Sequence, residues 1–324
     1  MAEVVRADEG PILEAILDAT YEIWSDGLTR AAYGRYYAAQ VKTPWGRDHL
    51  RRVALVEGDD VLAHAKVYTF DATLDGAAVH VTGLGAVFTQ PAHRGRGAAR
   101  DLIERVLAAE SAAGADIALL FSEIGADYYT RLGFDVVATT GRELRIAQSE
   151  RHGAPMTMVR AGEERDLADI AEMERTRAEG YRFHLSRDRD LIKFAIARKR
   201  LLAGLGTAGA REVQFFIAEE GASAVAWVLV TARAGAWTLE AAGDRDPSGA
   251  RVGAILQVLL ARDPAARRPT ITGWLPTGFL PPQITVIAER PSADVMMLKP
   301  LSTAGEAVRG IREPQIIYWR ADMF

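Results

Sequence analysis

The residues of this chain that could do chemistry are few and closely spaced. Between Val87 and Arg100 (VFTQPAHRGRGAAR) a strand-like run ends in Arg94-Gly95-Arg96-Gly97-Ala98-Ala99, and a helix-like run carrying Leu102, Ile103, Val106 and Leu107 follows. Glycines let a backbone turn tightly and approach a ligand closely, the first-turn amides of a helix lack internal acceptors, and the helix dipole favours an anion there. Two arginines would add charge-assisted hydrogen bonds. The segment is a candidate pyrophosphate site, although the glycines alone would serve a plain strand-to-helix turn equally well. A dinucleotide fingerprint would need three spaced glycines early in a βαβ unit and an acidic residue after the next strand. Here there is no third glycine, and the motif follows two hairpins. No Gly-Lys-Ser/Thr follows it, which excludes a nucleoside-triphosphate P-loop. Downstream, Tyr128-Tyr129-Thr130-Arg131-Leu132-Gly133-Phe134 offers a phenol that is protonated near neutrality.

The elements that must position these groups read as an α/β pattern. Glu3–Arg6 is a short strand, and residues 11–24 form a helix with its apolar stripe at Ile12, Ile16, Ala19 and Ile23. A helical stretch through Tyr33, Tyr36, Tyr37 and Trp45 follows. Val53–Glu57 and Val61–Phe70 then flank a Gly58-Asp59-Asp60 turn, and Ala77–Thr89 makes a second hairpin with them. After the glycine loop and its helix come a buried strand at Ile117–Phe121, a short helix at Asp127–Arg131 and a strand from Asp135. Polar and turn-forming Glu150–Pro155 marks the boundary. Beyond it Met158–Glu163 echoes Val4–Glu9, and Phe215–Gly221 echoes Val53–Gly58 in the same order, so the chain reads as two copies of one α/β unit. The expected limits are 1–150, 155–267 and a C-terminal segment 268–324.

The totals set bounds on what the chain can be. At 324 residues two cores are expected, and 49% hydrophobic with 25% charged residues is a globular composition. A net charge of -4 argues against a nonspecific grip on nucleic acid and suits an amine partner. The absence of cysteine excludes disulfides, thiolate metal sites and a cysteine nucleophile, and no metal site is expected. The start lacks an apolar h-region and no run is long enough to span a bilayer, so a cytoplasmic chain without membrane contact is expected. Homo-oligomerisation stays open.

The loop reads Arg94-x-x-Gly97-x-Ala99 after a strand, which resembles the Gln/Arg-x-x-Gly-x-Gly/Ala motif of the GCN5-related N-acetyltransferases, and Tyr129 stands where their Tyr-x-x-x-Gly-Phe signature has its tyrosine. The resemblance implies mixed, mostly antiparallel sheets flanked by helices, with acetyl-CoA as cosubstrate. Amides of Arg94, Gly95, Arg96, Gly97, Ala98 and Ala99 would bind its pyrophosphate, Val87, Phe88 and Thr89 would pair with the pantetheine arm, and Tyr129 would protonate the departing thiolate. Ala86–Arg94 and Leu120–Gly125 make the first unit similar to fungal lysine N-acetyltransferase-like proteins. The tandem plan is similar to acetyltransferases of the enhanced-intracellular-survival type. In the second unit the place of the loop holds Gly243-Asp244-Arg245-Asp246-Pro247, whose carboxylates would repel a pyrophosphate, so that unit is expected to be degenerate and the chain to hold one coenzyme.

Attack on a thioester needs a neutral amine and hence a base. The family's usual strand glutamate is absent from His80–Thr89, which leaves His80, Glu123 and the terminal carboxylate of Phe324. The apolar tail Ile316–Phe324 is expected to be docked, and enzymes of the enhanced-intracellular-survival type and N-myristoyltransferases bring a terminal carboxylate to the site. Trp24, Tyr36, Trp45, Tyr128 and Trp274 could line an acceptor pocket or simply pack, and Asp127 could anchor an amine or face solvent. The expected activity is acetyl transfer to a primary amine of a small molecule, lysine-like or aminoglycoside-like. The alternatives are a non-catalytic acyl-CoA-binding or interaction module and acetylation of protein lysines.

Overall fold

The computed structural model describes residues 1–147, 158–261 and 268–324. The expected boundary at Glu150–Pro155 lies outside the described residues. β1 (Glu3–Arg6) leads through α1 (Gly10–Trp24), α2 (Arg30–Lys42) and α3 (Pro44–His49) into β2 (Leu50–Glu57), β3 (Asp60–Leu74) and β4 (Ala77–Thr89). α4 (Ala98–Ala112) crosses to β5 (Ile117–Ser122), followed by α5 (Asp127–Thr130), β6 (Asp135–Val137) and β7 (Thr140–Ile146). Then come β8 (Met158–Ala161), α6 (Leu167–Ala178), β9 (Phe183–Leu185), α7 (Arg189–Leu205), β10 (Glu212–Glu220), β11 (Ser223–Arg233), β12 (Ala236–Asp244) and α8 (Ala250–Leu260). The chain closes with β13 (Thr270–Gly273), β14 (Ile284–Pro291), β15 (Val295–Pro300) and β16 (Ile316–Ile317).

Two open sheets flanked by helices result, as expected for tandem α/β units. The nine-stranded sheet runs β1-β2-β3-β4-β5-β15-β6, with β9 attached to β3 and β16 to β9, and the seven-stranded sheet runs β14-β7-β13-β12-β11-β10-β8. The orders β1-β2-β3-β4-β5 and β8-β10-β11-β12-β13 match, each ending in its one parallel pair. The two sequence echoes therefore fall on equivalent strands, β1 with β8 and β2 with β10. Sheet membership crosses the expected limits at 150 and 268: β7 pairs with β13 and β14 in the second sheet, while β15 inserts between β5 and β6 in the first. Both exchanged strands cover what would otherwise be an open strand edge.

Helices bury their apolar stripes against the sheets. The α4 stripe Leu102, Ile103, Val106 and Leu107 is buried as its spacing predicts, against Leu84, Leu120 and Met297. The stripe expected on α1 is rotated: Leu13, Ile16, Leu17 and Thr20 are buried, whereas Ile23 is 54% exposed. That helix has apolar residues on more than one side, and packing against α2 and β3 selected the face. Thr20 is accommodated because its hydroxyl donates to the Ile16 carbonyl at 2.8 Å and meets the Tyr33 hydroxyl at 3.0 Å.

Candidate active site

The site begins where two parallel strands part. β4 pairs with β5 only from Val81↔Ile117 to Leu84↔Leu120. Gly85 to Thr89 continue along β3 but leave their other edge unpaired with β5. At the parting point Ala86 has φ +48°, left-handed for a residue with a Cβ, and the β3–β4 register shifts between His64 and Lys66, which is a bulge. An extended ligand could add itself to that free edge along Val87, Phe88 and Thr89, of which Phe88 is buried and the others half-buried.

Beyond the edge, the loop rises to α4. Gly97 is its left-handed N-cap at φ +83° and Gly95 sits at φ +76°. A Cβ built on either would meet nothing within 4 Å, so their glycine identity serves backbone conformation and leaves room above the helix end. The unpartnered first-turn amides of α4 face that room. Arg94 is tied to the strand, donating from Nε to the Thr89 carbonyl at 3.3 Å with its guanidinium 5.6 Å from the Phe88 ring. Arg96 is exposed, Ala99 half-buried, and Ala98 turns its methyl into the core. These features fit a coenzyme pyrophosphate in backbone conformation, open space and charge.

Tyr129 lies on the α4 side of the gap, in the apolar cluster with Leu84, Ala98 and Leu120, its ring edge-on to Tyr128 and Phe134. Burial, and secondarily Tyr128, pushes its phenol up to about 12, so it stays protonated at neutral pH. Gly133 at φ +84° and the Lys299 ammonium, which donates to the Leu132 carbonyl at 2.8 Å, hold the turn behind it.

The tail comes to the opposite face. β16 pairs with β9, Trp319 Nε1 donates to Glu174 at 3.0 Å, and Arg187 bridges Glu174 at 2.5 Å and Asp322 at 3.2 Å. Arg198 of α7 donates to the carbonyls of Ala321 and Met323. The second unit thus steers Phe324 onto the first. Its ring packs 4.6 Å from Tyr68 and 5.6 Å from Phe121, and its carboxyl group lies over Gly85, 3.1 Å from where a Cβ would stand. Gly83 matters for the same reason: a Cβ there would fall 2.5 Å from the Phe324 ring.

The other base candidates are elsewhere. His80 stands five residues up β4 from Gly85, roughly 16 Å along the strand, with its side chain 70% exposed and paired to Asp71 at 2.9 Å. Glu123 is exposed beyond the end of β5, and Asp127 is exposed in the first turn of α5. Among the aromatic candidates, Trp24 meets Phe88 and His64 on the Phe324 side of the sheet. Tyr36 lies there too, its phenol pushed up to about 12 by burial against the opposing pull of Arg198. Trp45 is core, stacked on His49 and against Phe194; Tyr128 is on the α4 side; and Trp274 backs Tyr318 at 4.4 Å. Sequence reading missed Lys66, Tyr68, Gly83, Gly85 and Arg198. Two glycines two positions apart, and so on one face of an apolar strand, were the available signal for a close approach.

The second unit repeats the loop and fills it. Gly249 is again a left-handed N-cap at φ +70°, but a Cβ there would lie 2.6 Å from Phe279. Asp244 accepts from the amides of Asp246 and Arg251, both at 2.9 Å, so the chain supplies its own anion at the end of α8. Native mass spectrometry should therefore find one coenzyme per chain; two would overturn this reading of the second loop.

Residues 12–137 match the acetyltransferase (GNAT) domain family. The match covers most of the first unit, which thus carries the sequence of an acetyltransferase domain. No curated protein matches the sequence. Among solved structures the chain is similar to a GCN5-related N-acetyltransferase from Kribbella flavida (TM-score 0.64, 19% identity, 92% of this chain and 71% of that one). It is also similar to Eis1 from Mycobacterium abscessus (0.55, 15%, 93% and 74%) and to Saccharomyces cerevisiae N-myristoyltransferase with bound myristoyl-CoA (0.55, 12%, 92% and 82%). Among the described residues no group of His, Asp and Glu could hold a metal, and no helix is long and apolar enough to cross a membrane.

Proposed function

We propose that the chain transfers an acetyl group from acetyl-CoA to a primary amine of a small molecule, with the catalytic unit in residues 1–150, a degenerate unit in 155–267 and a tail, 268–324, that completes the site. The observation that carries this is the gap between β4 and β5, with Tyr129 on one side and the Phe324 carboxyl on the other. A thioester lying in the gap exposes its carbonyl carbon to an amine from the Phe324 side and its sulfur to Tyr129. The carboxylate takes the ammonium proton, the nitrogen bonds to the carbonyl carbon, the carbon–sulfur bond breaks as the Tyr129 hydroxyl gives its proton to the thiolate, and the second proton that the nitrogen sheds on becoming an amide is passed through solvent to restore the Tyr129 phenol.

The amides from Gly95 to Ala99 and the arginines Arg94 and Arg96 hold the pyrophosphate, while Val87, Phe88 and Thr89 align the pantetheine arm. The fold shared with Eis1 supports the transferase reading, and we take the acceptor to be lysine-like or aminoglycoside-like and the setting to be cytoplasmic. Thiol release from acetyl-CoA, followed across a panel of small amines and over extract proteins, tests the proposal. Turnover with a small amine is expected. Coenzyme binding without thiol release from any amine would make the chain a binding module, and label passing only to extract proteins would make it a protein-lysine acetyltransferase.

A further inference from the structure

The Phe324 side of the first sheet is cationic at its centre. Lys66 stands directly across from Gly85 in the β3–β4 register and beside Arg52 in the β2–β3 register, so Arg52, Lys66, Tyr68 and Gly85 share one face. Lys66 reaches over the Tyr37 ring, its Nζ 4.3 Å from the centroid, and among the described residues it has no ion pair and no hydrogen bond. Arg52, 2% exposed, donates to the Tyr37 carbonyl at 2.8 Å but leaves Nε and Nη1 without hydrogen-bond partners. His64 Nε2 is buried and unpartnered as well. Arg198 closes the group by hydrogen-bonding Tyr68.

The nearby acids are already engaged. Asp8 pairs with Arg6 and stands 3.6 Å from Arg52, and Asp26 pairs with Arg211 at 2.5 Å and Arg233 at 3.0 Å. Asp8 at 3.6 Å from Arg52 and the Phe324 carboxyl over Gly85 are the anions on this face, fewer than its cations; crowded cations are costly to keep, and a further anion would relieve that cost. Burial, with Arg52 and Arg198, pushes the Lys66 ammonium well below lysine's usual range, and an anion arriving beside it would favour the charged form.

We infer that the acceptor is an amine that carries its own carboxylate, an amino-acid-like molecule whose carboxylate is received by Lys66 and the unpartnered donors of Arg52 while its amine meets the Phe324 carboxyl. This rests on the transferase reading and decides between its two acceptor classes: a polycationic aminoglycoside would meet like charge on this face.

The test compares L-lysine and other free amino acids with their methyl esters and with the decarboxylated diamines, by thiol release and, separately, by calorimetric binding without coenzyme. Free acids should be preferred on the order of tenfold or more in kcat/KM, the scale of a hydrogen bond to a charged group, and Lys66→Met should bring the acid-to-ester ratio toward one. That variant is expected to fold, because an apolar side chain of similar length replaces an uncompensated cation; Lys66→Gln serves as a second variant. Equal kcat/KM for acid and ester, or a ratio unmoved by both variants, overturns the inference. Binding of acid but not ester without any thiol release would uphold the anion site while ending the transferase reading.

Discussion

Tyr129→Phe should lower kcat by about 10²- to 10⁴-fold, the usual contribution of a positioned general acid, while acetyl-CoA still binds. The ring packs in an apolar cluster and makes its contacts through carbon, so phenylalanine keeps the packing and removes only the proton. Stopped-flow or steady-state thiol release measures the loss, and fluorescence or calorimetric titration of the coenzyme supplies the control. A variant with wild-type kcat would exclude Tyr129 as the donor. The pH dependence has a definite sign. The folded phenol is raised to about 12 against an ordinary value near 10. Its contribution to stability is therefore complete below about pH 10 and is lost as pH rises towards 12, so no loss of activity or stability on the alkaline side of neutrality should trace to this group.

Adding two or three residues after Phe324 should lower kcat by about 10²-fold or more, because the carboxyl group over Gly85 becomes an amide that accepts no proton. The tail would stay docked through Trp319, Asp322 and the Arg198 contacts, none of which involves the Phe324 carboxyl, so melting temperature should change little. Gly83→Ala approaches the same point from the strand: its new methyl would collide with the Phe324 ring and displace the terminal residue. If both variants turn over like the parent chain, the terminus has no part in proton transfer and the base must be sought elsewhere.

The coenzyme side of the site was legible from sequence because it is local. A strand, two glycines that must adopt left-handed backbone, two arginines and an amphipathic helix are consecutive, and Tyr129 follows with one strand between. Short-range rules of turn conformation and helix ends are enough to read such a segment. The decay of the second unit was legible for the same reason. Its carboxylates at Asp244 and Asp246 are visible in sequence, although the structure replaces repulsion with a different device: Asp244 acts as a built-in anion, and Phe279 fills the space.

The other side was legible only in part: the apolar tail pointed to Phe324, but the residues it meets are far apart in the chain and come together only through long-range packing. Phe324 reaches Gly85 through contacts with Glu174, Arg187 and Arg198 of the second unit. The α1 stripe turned out rotated, since a helix with apolar residues on several sides takes its buried face from its neighbours. The exchange of β7 and β15 between sheets likewise depends on which edges the finished sheets leave open. The sequence alone determined a loop with two left-handed glycines at a helix N-terminus and a tyrosine turn one strand later, since both are written in local backbone preference. Only the tertiary structure decided what faces them across the gap: a terminal carboxyl, a lysine and two arginines whose charge takes its meaning from burial and proximity.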